Sequence, residues 1–462
     1  MSIVLASGLA AALALAPADE KAIARLEADT RKALIDAGQG HLELGYWCRK
    51  AGLAAQAAAE FLRAVEVSRG EHPSAWRPLA AMRRFEDAFF KFKRKNPSRE
   101  LLDQYQRRVQ KLEEDFERDA IRLATRAFAL DLKQRAYEEF RAILVTRDLP
   151  LVFDERGSIM LGAATVPAEL SNTFRNESIL INGARYLRDA FLTLVPGIKD
   201  VSEATSERLR VRSERSADEA QQVLAIAEAE LPFLEEECGG RPTRRMDVFV
   251  FQQRASFQAY CEASGHAASR VAAGLADGRR NVCVVSGEAG ARDEIFAITL
   301  HEVAHLFQFH VSASAMPSWY REGFAETFGG RGAFTWDGKQ LKLGGLIQRA
   351  SITPLQSEAG FIPLAELLQS DAHDLMTTDK QKAERFYAEA WVLVRFLRTG
   401  AKDDVRAAFE RWENMCLGAA LGAESQRQGK ASPREAADLF LEIVGKQLGS
   451  LELELRAYLL KL

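Results

Sequence analysis

Residues 293–310 read DEIFAITLHEVAHLFQFH, and residues 317–326 read PSWYREGFAE. The first stretch has no Gly or Pro and is rich in apolar residues, as a buried helix requires. His301 and His305 are four apart, so on a helix they lie one turn apart on one face and both imidazoles can reach one metal ion. Glu302 follows the first histidine, placed to meet a water at that metal. This is the HExxH pattern of two zinc ligands and a general base. Random placement produces it in about one chain of this composition in a hundred. A catalytic zinc takes three protein ligands and keeps one position open. Glu322 follows His305 after 16 intervening residues, enough for a turn and a return helix. Glu326 lies one turn further on the same face, where a carboxylate can accept the N–H of a ligand imidazole and fix its tautomer. The plain alternative for Glu322 and Glu326 is a solvated helix pair, which the HExxH upstream disfavours. Asp293 and Glu294 complement the dipole at the start of the helix. His310 is turned away from the ligand face. His266 and His373 fall in loop-like sequence and read as surface residues.

Working outward, the pattern ahead of this segment alternates strand and helix. Leu209-Arg210-Val211-Arg212 reads as a strand, residues 216–237 as an amphipathic helix ended by Gly239-Gly240, and MDVFVF (246–251) and NVCVV (281–285) as further strands. From about residue 206 the pattern therefore reads as a separate α+β domain that includes the histidine-rich segment. Residues 19–150 read as helices. Leu44-Gly45, Gly52, Ala57, Phe61 and Ala64 fall where a tetratricopeptide repeat of about 34 residues places its small and large packing residues. Leu123, Ala124, Ala136, Phe140 and Ile143 repeat the pattern more weakly. The charged run Arg83 to Arg122 mixes both signs and reads as a solvated helix face. Residues 151–205 read as a linker or helical segment.

HEVAH followed by WYREGFAETF resembles the gluzincin metallopeptidases, specifically the peptidase MA-like group labelled DUF1570. Aminopeptidase members have a slightly longer interval between HExxH and their Glu-Gly-Phe-Ala word, which is intact here. The resemblance covers residues 206–462. The helical core Gly45 to Leu53 is similar to N-terminal regions of bacterial members. The resemblance implies a thermolysin-like catalytic domain holding zinc through His301, His305 and Glu322, with a small sheet and C-terminal helices. It also implies a catalytic tyrosine, Tyr387 in FYAEAWVLV, donating to the oxyanion, a role that fits the charge developing during hydrolysis. It further implies that the strand Asn281 to Val285 is the sheet edge that aligns an extended substrate. The Gly-x-Met-Glu-Asn word that binds a free amine in aminopeptidases is missing, and GLADGRRNVCVV (274–285) contains no Glu. The expected activity is thus zinc-dependent hydrolysis of peptide bonds, endopeptidase rather than aminopeptidase. The alternatives are an inactive tetratricopeptide-type scaffold with a metal-binding domain, and hydrolysis of another acyl group. Zinc itself is inferred from ligand type.

The chain has 462 residues, with 62 Lys+Arg against 65 Asp+Glu. That near-balance gives no whole-chain case for nucleic acid as a partner. The expected partners are a peptide or protein substrate and a protein at the N-terminal helices. Residues 2–18 carry no charge and end in Ala16-Pro17-Ala18, the form of a cleaved leader, although no Lys or Arg precedes them. Residues 1–18 are therefore read as a signal peptide for export, with a cytoplasmic location and a frayed Ala-rich helix as the alternative. That segment is at the short edge for a membrane span, and no stable span is expected. The 5 cysteines are scattered and form no zinc cluster, leaving open one bridge such as Cys238 with Cys261.

Overall fold

The structure is a computed structural model. It describes residues 17–75, 77–78, 98–146, 148–238, 242, 245–287, 292–311, 316–357, 360–417, 433–444 and 448–462. Most of the expected leader, part of the charged run and the Gly239-Gly240 stop lie outside the described residues. The chain is mixed α+β, with an N-terminal helical region and a mixed sheet. It divides into two compact units, residues 1–193 and 194–462.

The first unit is built on two helical hairpins. Pro17–Lys50 turns into Ala54–Val67, and Arg99–Ala129 turns into Lys133–Thr146. Gly52 closes the first turn at φ +80°, a conformation that suits glycine. Gly45 lets the two helices of that hairpin touch: a Cβ there would stand 2.5 Å from the Phe61 ring. Leu44, Ala57, Phe61 and Ala64 are buried around that contact. In the second hairpin Leu123, Ala124, Ala136, Phe140 and Ile143 are buried together. After the helices come β1 (Met160–Leu161) paired with β2 (Ala164–Thr165), a helix Ala168–Asn176, and β3 (Ser178–Ile181) paired with β4 (Ala184–Leu187). Asn182-Gly183 joins β3 to β4 with both residues at positive φ. This is the turn that matches the twist of paired strands, and the dipeptide is its sequence signal.

The second unit carries β5 (Asp200–Thr205), β6 (Leu209–Ser213), β7 (Met246–Phe251), β8 (Gly274–Asp277) and β9 (Val282–Ser286) in the order β5-β6-β7-β9-β8. β6, β7 and β9 run parallel, while β5 and β8 are antiparallel to their neighbours. The helix Ala217–Cys238 connects β6 to β7. The helix Arg292–Val311 packs on β8 and β9 and against Ala217–Cys238. Ser318–Gly329 and Lys380–Arg395 pack on each other beside it.

Three expectations change. Residues 151–205 carry strands β1 to β5 and the helix Ala168–Asn176 rather than a linker or helical segment. Val282–Ser286 is not the sheet edge, because Gly274–Asp277 folds back and pairs with it antiparallel. Asp277 caps that reversal by accepting from the backbone N–H groups of Arg279 and Arg280, both at 3.1 Å. Cys238 and Cys261 are buried free thiols rather than a bridge, and burial pushes both up to about 12. Among the described residues, no helix is long and apolar enough to cross a membrane.

Candidate metal centre

His301 and His305 project from one face of Arg292–Val311, as their spacing requires. Glu322 reaches the same point from Ser318–Gly329. Two glycines explain how closely these helices approach. A Cβ on Gly329 would stand 2.4 Å from the Ala297 carbonyl oxygen and 2.5 Å from the His301 nitrogen. A Cβ on Gly323 would stand 2.3 Å from the Ala390 carbonyl oxygen, on the helix that carries Tyr387. The WYREGFAETFG segment is therefore pinched between the HExxH helix and the tyrosine helix.

The donor atoms converge. His305 Nε2 lies 3.0 Å from His301 Nε2 and 3.1 Å from Glu322 Oε2. His301 Nε2 lies 3.3 Å from the same oxygen. Ligand atoms from all three residues fall within 4.8 Å of one another, so the cluster could hold a metal ion. Two ring nitrogens and a carboxylate oxygen are donor types that a divalent metal such as zinc accepts. His301 Nδ1 stands 3.3 Å from Glu326 Oε1, on the side of the ring away from the cluster.

Burial would raise the Glu322 pKa, but the imidazoles of His305 and His301 outweigh it and hold the carboxyl well below its ordinary value. Burial would lower His301, and hydrogen bonding to Glu322 and Glu326 instead raises it well above the usual imidazole value. Glu302 is buried and raised by desolvation, opposed by the two imidazoles and by a backbone hydrogen bond from Ala276. Gly274 makes room for it: a Cβ there would stand 2.6 Å from Glu302 Oε1. The general-base candidate thus sits directly against the edge strand.

Tyr387 lies beside the cluster, its ring centroid 6.1 Å from that of His301. Burial raises its hydroxyl well above the ordinary phenol value, and the charges of Glu322, Glu302 and Glu326 add to this, so the group stays an O–H donor. All of these side chains line one cleft of about 1130 Å³. The outer wall includes Gly274, Leu275 and Ala276 of β8.

No family model matches the chain, and no curated protein matches it.

The remaining histidines are placed as follows. His310 meets Asn281 and takes no part in the cluster. His266 and His373 both line the cleft. His373 is exposed as expected but sits in the short helix Ala372–Thr378 rather than in a loop. His266 pairs with buried Asp277 at 3.4 Å. Glu294 pairs with Arg331 at the mouth of the HExxH helix. Motif spacing alone did not single out Gly274, Gly323 and Gly329. The glycines flanking Phe324-Ala325-Glu326-Thr327-Phe328 were the visible signal, since glycine inside a helix weakens it unless close packing needs it.

Proposed function

We propose that the chain is a zinc-dependent peptidase of the gluzincin type, with tetratricopeptide-like N-terminal helices that dock a protein partner. The observation that carries the reading is the meeting of His301, His305 and Glu322 at one point, with Glu302 and Tyr387 on the same cleft. His301, His305 and Glu322 would hold the metal. Zinc, when bound, supplies Lewis acidity that polarises a carbonyl and makes water acidic near neutral pH.

The chain's own residues supply the rest. Glu302, desolvated and held by the Ala276 N–H, takes a proton from the attacking water and passes it to the leaving amine. The Tyr387 hydroxyl donates to the carbonyl oxygen as negative charge builds there. Glu326 holds the His301 ring with Nε2 turned to the metal. The open edge of β8 offers backbone groups to an extended peptide, which would add as a further strand.

An endopeptidase is favoured over an aminopeptidase. The carboxylate of β8, Asp277, is already bonded to Arg280 and Tyr260 and faces His266, so it is not free to bind a substrate amine. The deciding experiment is metal analysis with peptide-library cleavage on the wild type and on Glu302→Gln. The expected result is about one zinc per chain in both proteins, with cleavage in the wild type alone. Full activity in Glu302→Gln overturns the assignment of the base. Zinc retention with no cleavage by the wild type favours a metal-binding scaffold.

A further inference from the structure

Arg321 precedes the ligand Glu322 and lines the same cleft. Its guanidinium is always charged. Its Nε is buried and has no hydrogen-bond partner, and its side chain makes no ion pair with any described residue.

Several other charged groups around the cleft already have partners. Glu294 holds Arg331, and Glu326 faces His301. Asp371 accepts from the backbone N–H groups of His373 and Asp374 at the start of a helix. Lys380 has Glu384 at 4.0 Å. Arg321 is left as a fixed positive charge, partly withdrawn from water, in no ion pair with a described residue. Such a charge is costly alone and is satisfied when an anion arrives. A carboxylate is the natural match, because its two oxygens fit the guanidinium fork.

We infer that Arg321 receives a carboxylate of the substrate, so that the cleft selects peptides carrying negative charge close to the scissile bond. This rests on the peptidase reading and deepens it. The carboxylate has two sources with the same chemistry, an Asp or Glu side chain or a free C-terminus. Arg321 is then a specificity-determining residue, beside the metal ligands and separate from the proton transfers.

The test uses four random peptide libraries with zinc-loaded protein. One pair contains Asp and Glu and the other replaces them with Asn and Gln, and each is made with free and with amidated C-termini. For the wild type, removing the carboxylate source lowers product formation at least about tenfold. An effect of amidation identifies the C-terminus, and an effect of the Asn and Gln replacement identifies a side chain. Arg321→Gln loses the preference with zinc content unchanged, and Arg321→Lys keeps part of it. Equal cleavage of all four libraries by the wild type, or the same preference in Arg321→Gln, overturns the inference. If Arg321→Gln fails to fold, the comparison with Arg321→Lys decides, since a lysine cannot reproduce the fork. Should the wild type cleave nothing, the peptidase reading fails by itself. Affinity selection on zinc-loaded Glu302→Gln, with and without Arg321→Gln, then decides the carboxylate site. Retention of the acidic libraries must depend on Arg321, and equal retention by both proteins sinks it.

Discussion

Glu326 Oε1 lies 3.3 Å from His301 Nδ1, while Nε2 of the same ring faces Glu322. The two nitrogens of one imidazole therefore have separate tasks. A carboxylate at Nδ1 fixes the proton there and leaves the Nε2 lone pair for a metal. Replacing Glu326 by Gln or Ala is expected to weaken zinc binding by about 10–100-fold, with the ligands themselves intact. Competition against a chelator of known affinity measures this. Unchanged zinc affinity in both variants would remove Glu326 from the centre.

Gly323 and Gly329 make a second prediction. Their missing Cβ positions fall 2.3 Å from the Ala390 oxygen and 2.4 Å from the Ala297 oxygen. Both obstacles are backbone atoms, which cannot rotate away as a flexible side chain can. Gly323→Ala and Gly329→Ala should each destabilise the chain by about 1–3 kcal/mol. The same displacement should weaken zinc binding, because the helix of Glu322 is pushed from its neighbours. Urea midpoints and zinc titrations together test this. Wild-type values in both assays would show that the helices have room to spare.

The convergence of His301, His305 and Glu322 was legible because its logic is local. Four residues on a helix make one turn, so His301 and His305 had to share a face, and only the return of Glu322 required the fold. Strand β9 could be recognised as a strand from Val282 to Val285, but its place in the sheet could not. That place depends on whether GLAD folds back across it, and a four-residue strand with Gly and Asp gives little pattern. The β3–β4 hairpin was readable in principle, since Asn182-Gly183 sits between apolar runs, yet residues 151–205 as a whole read as a linker or helix. Arg321 was invisible for a different reason. Whether a guanidinium has a partner is a property of side chains brought together from distant parts of the chain.

Glu389 gives a pH prediction. Its side chain is fully buried, and Oε2 accepts the Ile362 backbone N–H at 2.9 Å. Burial raises its pKa to about 8. In the unfolded chain the group titrates near its ordinary value. Between that value and about 8 the folded state holds a proton that the unfolded state has released. Stability therefore falls as pH rises through this window and levels off above it. Each tenfold difference in proton affinity between the two states corresponds to about 1.4 kcal/mol. Glu389→Gln cannot titrate, so its urea midpoint should fall less than that of the wild type between pH 5 and pH 8. Parallel pH profiles for the two proteins would show that Glu389 is ionised inside the fold.

The last prediction concerns the first unit. His41 Nδ1 lies 2.6 Å from Glu60 Oε2, with both side chains about 5% exposed. The Tyr105 hydroxyl donates to Glu60 Oε1 at 2.7 Å. One carboxylate thus joins three helices, Pro17–Lys50, Ala54–Val67 and Arg99–Ala129. Glu60→Ala leaves the His41 and Tyr105 donors without their acceptor inside the packed hairpin, and should cost at least about 2 kcal/mol. Tyr105→Phe leaves Glu60 Oε1 without its partner but keeps the His41 contact to Oε2, so it should cost about half as much. Hydrogen exchange of the amides of Ala54–Val67, followed by mass spectrometry, reads the change locally. The expected order is fastest exchange in Glu60→Ala, intermediate in Tyr105→Phe and slowest in the wild type. Equal exchange in Glu60→Ala and the wild type would mean that water replaces the carboxylate without loss, and that apolar packing around Phe61 alone holds the hairpin.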